Sequence, residues 1–198
     1  MVNVLIAYNN DASVELHNFM QLCADTVKQY CIDHKHTYTS LAPPNLTESE
    51  IVKTMPNNQI CFIAAHGDAD GVYNETDTDV VTTRTTNYVF NNKCFYSVAC
   101  SCAQNLRLEL QRIGVKIFVG YNDSFIVGAN EDAFCTCALE GLKKILQGAT
   151  VATAKDAMKK KYDEVIKALS FPDNTFLLRN KERLIFEGED GVSLADLR

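Results

Sequence analysis

The chain predicts an α/β domain built on an open, mostly parallel sheet. Four compact apolar runs, Val2 to Tyr8, Gln59 to Ala65, Cys94 to Ala99 and Val115 to Val119, have the length of buried strands. Segments with apolar residues at helical spacing lie between and after them: Val14 to Cys31, Gln104 to Arg112, Asn130 to Gln147 and Val151 to Leu169. Strands that alternate with helices pair in parallel through helical crossovers. At 198 residues the chain suits one domain, 1–198, with enough length to bury a substantial core. No internal repeat, low-complexity tract or linker divides it.

The elements follow in order. Val2 to Tyr8 is the first strand, ended by Asn9, Asn10 and Asp11, with Ser13 the expected N-cap of the next helix. Leu16, Met20, Cys23, Ala24 and Val27 form the apolar stripe of that helix. Tyr38 to Leu46 is expected as a loop around Pro43-Pro44. Thr47-Glu48-Ser49-Glu50 opens a short helix through Met55, its acidic residues complementing the helix dipole. Pro56-Asn57-Asn58 turns the chain into the Gln59 run. The stretch HGDADGVYNETDTD reads as a polar loop with five carboxylates, Asp68, Asp70, Glu75, Asp77 and Asp79. Val80 to Thr83 and Asn87 to Phe90 read as a short strand or turn and a short helix. Gly114 closes the helix after Cys100, and Gly148 ends the Asn130 helix. Asn174 to Glu187 reads as an edge hairpin, with Phe176-Leu177-Leu178 and Leu184-Ile185-Phe186 around a polar turn.

Composition excludes several classes. With 46% hydrophobic and 22% charged residues the chain is an ordinary globular protein. A net charge of −6 gives no electrostatic footprint for nucleic acid. No apolar run approaches the roughly 20 residues of a membrane span. MVNVLIAYNN lacks a basic leader and a small-residue cleavage site, so it is expected to be a strand and not a signal peptide. The eight cysteines fall on expected strands and helices, which suits reduced, buried thiols and a cytoplasmic location. No metal and no cofactor are expected. Cys135 and Cys137 point in different directions on a helix, and Cys100 and Cys102 lack a second ligand pair at zinc spacing. His17, His34 and His36 are expected on the surface. The acidic loop lacks the ligand ladder and flanking helices of a calcium-binding hand.

The chemistry collects at two strand ends. The Cys94 run stops at Cys100, and the Gln59 run stops at His66-Gly67. In an open parallel sheet, ligands bind beyond the carboxyl ends of the strands. Two adjacent strands ending in histidine and cysteine place an imidazole beside a thiol, the minimum set for acyl transfer. Cys100 is also expected near the start of the following helix, whose partial positive charge favours a thiolate. Cys102, two residues on, is an alternative nucleophile.

The same segments carry a resemblance. IAAHG followed by YSVAC is similar to the His-Gly and Ala-Cys pair of the caspase-like cysteine peptidases, the group that holds caspases, legumain, gingipain and the bacterial CHAT domains. ACSCAQNLRLELQRIGVKIFVGYNDSF resembles a CHAT domain most closely, and the likeness runs on through ANEDAFCTCALEGLKKILQGATVATAKDAMKKKY. It covers roughly Ile60 to Tyr162. The resemblance implies a caspase-hemoglobinase-like three-layer α/β/α sandwich and a cysteine endopeptidase that works as a dyad. The family's nucleophile lands on Cys100 and its general base and acid on His66. The backbone N–H of Gly67 would meet the oxyanion, where a glycine lets backbone approach substrate without a Cβ.

Several arginine- or lysine-specific relatives place an aspartate two residues before the nucleophile. Here that position is Val98, which argues against such a pocket. Asp68 and Asp123 are the candidate carboxylates that remain, and the expected preference is a basic or small P1 residue. Proteins resembling these are often parts of bacterial defence or signalling systems, with a protein or peptide as substrate. A catalytically inactive scaffold of the same fold is the competing reading. A flavodoxin-like or receiver-like domain is a third, for which Asn9 to Ser13 is a poor phosphate loop or acidic pocket.

Overall fold

A computed structural model describes residues Met1 to Leu197. Its strands are β1 (Asn3–Tyr8), β2 (Thr37–Leu41), β3 (Ile60–Ala64), β4 (His66–Gly67), β5 (Gly71–Tyr73), β6 (Asp79–Thr82), β7 (Cys94–Val98), β8 (Ile117–Tyr121) and β9 (Leu184–Glu187). Its α-helices are α1 (His17–Asp33), α2 (Glu48–Thr54), α3 (Asn105–Arg112), α4 (Glu131–Leu146), α5 (Val151–Ala168) and α6 (Asp173–Arg183). Six strands form the central sheet in the order β2-β1-β3-β7-β8-β9. All pair in parallel except β9, which runs antiparallel to β8.

Alternation along each strand divides the core into two layers. Val4, Ile6 and Tyr8 of β1 face one apolar cluster, and Leu5 and Ala7 face the other. Buried residues of α1, α4, α5 and α6 complete the first cluster. The second is completed by Ile51 of α2, Leu106 and Leu110 of α3, and Val72, Val80 and Val81 of β5 and β6. The protein is therefore a three-layer α/β/α sandwich around a mostly parallel sheet. Strands covered on both faces read as continuous apolar runs, which is why β1, β3, β7 and β8 stand out in the sequence.

Chain order reverses across β1. The chain goes from β1 outward to β2, then returns to place β3 on the other side. Such a switch point opens a crevice at the carboxyl ends of the strands. β3 and β7 pair from Ile60 opposite Cys94 to Ala64 opposite Val98. His66 and Cys100 each follow two residues beyond that last pair.

Several elements differ from the sequence expectation. Tyr38 to Leu41 is not the start of a loop but belongs to the parallel edge strand β2, in which only Leu41 is buried. Its polar, exposed sequence gave no apolar signal. The polar loop after His66 is partly a small antiparallel sheet, β4-β5-β6. The expected hairpin over Asn174 to Glu187 is helix α6 followed by β9. Phe176-Leu177-Leu178 looked β-like, yet only Leu177 is buried, and Leu178 is exposed. Ser13 does not cap α1. That helix begins after Leu16, and Ser13 instead donates its N–H and hydroxyl to the Asp11 carboxylate. Among the described residues no helix is long and apolar enough to cross a membrane.

Candidate active site

Four strand ends build one crevice. Leu16, Phe19 and Met20 follow β1, Ala65 and His66 follow β3, Val98, Ala99 and Cys100 end β7, and Phe125 follows β8; together they line a cavity of about 40 Å³. A hollow of about 510 Å³ around Asp25, Tyr30 and Lys143 holds neither a histidine nor a cysteine in its wall, so chemistry rather than size singles out the smaller one. All eight cysteines are free, and Cys100 is the one that is not buried.

The sharp turn after β7 explains that exposure. Ser101 has φ 53°, a left-handed conformation that disfavours a residue with a Cβ. It is held there because its N–H donates to the Asp123 carbonyl (3.0 Å) and that of Ala103 to the Tyr121 carbonyl (3.0 Å). The turn leaves Cys100 on the crevice face of the sheet and sends Cys102 to the opposite face. Cys102 is wholly buried, with its thiol 3.4 Å from the Ser97 hydroxyl. Burial pushes the Cys102 thiol up, against the hydrogen bonds that favour its ionised form.

The helix expected behind Cys100 begins at Asn105. The turn through Gln104 separates its N-terminus from the sulfur, and a helix-end field fades within one turn. Backbone meets the sulfur instead. The Phe125 N–H donates to Cys100 Sγ at 3.3 Å, and the thiol lies 3.9 Å from the Phe125 carbonyl. No hydrogen bond joins His66 to Cys100 among the described residues; both side chains face the same cavity.

Gly67 abuts the cysteine backbone. A Cβ there would come within 2.7 Å of the Cys100 carbonyl oxygen and 3.1 Å of that of Gly71. Gly67 stands opposite Val72 in β5, and the next pair outward is tied by the Asp68 N–H to the Gly71 carbonyl. Antiparallel pairs alternate between bonded and non-bonded. The Gly67 N–H therefore points away from the β4–β5 ladder.

The two expected carboxylates are engaged elsewhere. Asp68 accepts from the N–H groups of Asp70 (2.8 Å) and Gly71 (3.0 Å) and from the Tyr73 hydroxyl (2.9 Å), shaping the β4–β5 turn. It borders a polar hollow with Asp70, Tyr73, Asp77 and Arg84. Asp123 forms an ion pair with Arg183. Neither lines the crevice.

Sequence reasoning missed what fixes the Phe125 segment. Helix α6 straps it at three places. The Arg183 carbonyl accepts from the Asn122 N–H, and Asp173 accepts from the N–H groups of Ala129 and Asn130. Between them buried Asn180 accepts from the Ile126 N–H at 2.9 Å and donates to the Ile126 carbonyl at 2.7 Å. A buried asparagine between Leu177 and Leu184 was the one available signal, and the hairpin reading concealed it. Leu16, Phe19 and Met20 were legible as a helix stripe but not as a cavity wall.

The three-layer α/β/α sandwich around a mostly parallel sheet has the caspase-hemoglobinase fold. Among solved structures the chain is similar to the Arg specific cysteine proteinase gingipain R (RGPB), with a TM-score of 0.71 and 11% identity over 98% of this chain and 48% of that one. It is likewise similar to the complex of Porphyromonas gingivalis RgpB pro- and mature domains, with a TM-score of 0.63 and 10% identity over 99% of this chain and 48% of that one. The chain thus spans about half the length of these proteinases, and at this identity the likeness is one of fold. No protein-family model matches the chain. No curated protein matches it by sequence.

Proposed function

We propose that the chain is a cysteine endopeptidase of the caspase-like type, acting on a protein or peptide without a cofactor. The observation that carries this reading is the convergence of His66 and Cys100 on one crevice just beyond two adjacent parallel strands, with Gly67 against the Cys100 backbone. Burial of the other seven thiols supports Cys100, and not Cys102, as the nucleophile.

The roles follow from the chemistry. His66 takes the proton of Cys100 as general base, and the sulfur attacks the peptide carbonyl carbon. The C–S bond forms as the carbonyl π pair moves to oxygen, where the Gly67 N–H stabilises the oxyanion. Collapse breaks the C–N bond while the His66 imidazolium protonates the departing amine. Water then attacks the thioester, gives its proton to His66, and releases the carboxylic acid and the thiol. The Phe125 N–H fixes the sulfur at the crevice before substrate arrives. The resemblance over Ile60 to Tyr162 further points to a CHAT-like enzyme in a bacterial defence or signalling system, and the reduced cysteines to the cytoplasm. The arginine preference in the neighbour's name is not carried over, because no carboxylate lines this crevice.

The test is cleavage of a proteome-derived peptide library by wild type, Cys100→Ala, Cys102→Ala and His66→Ala. The expected result is cleavage lost in the Cys100 and His66 variants and kept in Cys102→Ala. One observation favours a second reading, an inactive scaffold: the Cys100 thiol is hydrogen-bonded to Phe125 backbone and not to His66. That reading predicts no cleavage by wild type and no His66 dependence of Cys100 alkylation.

A further inference from the structure

The crevice beside Cys100 has a chemistry of its own. Its walls are Leu16, Phe19, Met20, Val98, Ala99 and Phe125, all apolar, and His66 and Cys100 supply its polar atoms. Five of those walls are fixed by packing: Phe19, Met20, Val98, Ala99 and Phe125 are all buried. Phe125 stacks on Phe19 with ring centroids 5.8 Å apart and tilts against Tyr121 at 4.6 Å. Leu16 is only half-buried and takes φ 63° at the entrance to α1. No carboxylate and no cation reach the cavity wall.

From these facts we infer that the crevice is the subsite for the residue preceding the scissile bond, and that it takes a short apolar side chain, alanine or valine. The inference rests on the peptidase reading and narrows its substrate class. Position comes first, since the cavity opens directly against Cys100, which must attack the carbonyl of that residue. Charge comes second. A basic or acidic side chain would be desolvated here with no partner, which is strongly unfavourable. The carboxylates that would answer a basic side chain are committed, Asp123 to Arg183 and Asp68 to the β4–β5 turn. Size comes third. A water's share of liquid volume is about 30 Å³, so a cavity of about 40 Å³ encloses one methyl, seats a valine side chain only in part, and refuses a ring. Half-buried Leu16 is the wall that can be cut back without opening the packed core.

The experiment uses peptidyl acyloxymethyl ketones that differ only at P1: Ala, Val, Phe, Arg and Asp. A thiolate displaces the carboxylate leaving group, forming a C–S bond as the C–O bond breaks, so labelling is read as an adduct mass on Cys100. Rates are normalised to iodoacetamide and compared with hydrolysis of matched peptides. The expected result is labelling by the Ala and Val reagents about tenfold or more faster than by Phe, Arg or Asp, the discrimination typical of a closed apolar pocket. Leu16→Ala should raise the Phe rate relative to Ala while leaving the Arg rate low. Fastest labelling and cleavage with Arg or Asp would overturn the inference and leave the peptidase reading standing. Equal rates across the panel, or no labelling of Cys100, would overturn it too. Selective Ala and Val labelling with no hydrolysis of any peptide would overturn the peptidase reading and the subsite with it, leaving only an apolar pocket beside Cys100.

Discussion

Asn180 offers the sharpest quantitative test of how the site is held. Its side chain has no exposed surface and makes two hydrogen bonds to one residue, accepting from the Ile126 N–H and donating to the Ile126 carbonyl. Ile126 adjoins Phe125, whose N–H lies 3.3 Å from Cys100 Sγ. Truncation by Asn180→Ala removes both bonds, each worth about 1 kcal/mol net, and leaves backbone groups whose lost partners cost about 1–3 kcal/mol each when water cannot replace them. Ile126 is half-buried, so water recovers part of that cost, and the expected loss is about 2–4 kcal/mol. The neighbouring ties through Asp173 and the Arg183 carbonyl remain, so the loop should loosen around Phe125 while the fold persists. Urea titration measures the stability loss, and the iodoacetamide rate of Cys100 in the folded protein reads the local effect. Lys181→Ala, which cuts a surface pair with Asp163, serves as the control and should shift stability by less than about 1 kcal/mol. An Asn180→Ala protein with an unchanged urea midpoint and an unchanged Cys100 rate would refute the claim that α6 positions the nucleophile.

The other predictions concern single contacts. Gly67→Ala should cost about 1–3 kcal/mol, because a Cβ would sit 2.7 Å from the Cys100 carbonyl oxygen and 3.1 Å from that of Gly71, neither of which can rotate aside; the backbone must shift, so both cleavage and the urea midpoint should fall, and an unchanged cleavage rate and midpoint would count against this close approach. Cys102→Ala should retain cleavage while losing stability, since its sulfur packs fully buried against Ser97; a loss of cleavage matching that of Cys100→Ala would reverse the assignment of the nucleophile. His36 is half-buried, accepts from the Val2 N–H through Nδ1 (3.4 Å) and meets the Leu146 carbonyl through Nε2 (3.1 Å), which suits the neutral ring. Burial holds its pKa below the ordinary value, so its contribution is present above about pH 6.5 and is lost as pH falls through the lower folded value. Urea midpoints of wild type should therefore fall on acidification more steeply than those of His36→Gln, and parallel curves would count against it.

The sequence made the site's position legible and hid its supports. β3 and β7 are covered on both faces, so their side chains are buried throughout and mostly apolar, and His66 and Cys100 follow as the first residues beyond each run that are not buried. That is a strong local signal. β2 lies at the sheet edge with only Leu41 buried, so nothing in Thr37 to Ser40 demanded a strand. Helix α6 buries only Leu177 and Asn180 and leaves its other residues half-buried or exposed. One buried leucine in eleven helical residues cannot establish a period, and the adjacent Phe176 and Leu178 imitated a strand. Long-range pairing of a side chain with loop backbone, as Asn180 does with Ile126, leaves no periodic trace at all. The same reason concealed the crevice wall, which takes residues from four separate strand ends.

The pair of thiols at Cys100 and Cys102 shows how backbone conformation changes what a spacing means. In a continued strand, residues two apart share a face, and the two sulfurs would be neighbours of equal standing. The left-handed Ser101 between them breaks that parity. Cys102 passes beneath the sheet, where a Cβ at Gly120 would come within 2.9 Å of its sulfur, so the adjacent strand must carry a glycine to seat it. The strained residue is tied down by the Asp123 carbonyl, whose side chain is in turn committed to Arg183. The cost of a left-handed non-glycine residue is on the order of 1 kcal/mol, and one charge-assisted pair with two backbone hydrogen bonds is enough to offset it. Asp123 thus bears on the site through the turn that exposes Cys100. It leaves the crevice without a charge, and the apolar subsite follows from that commitment.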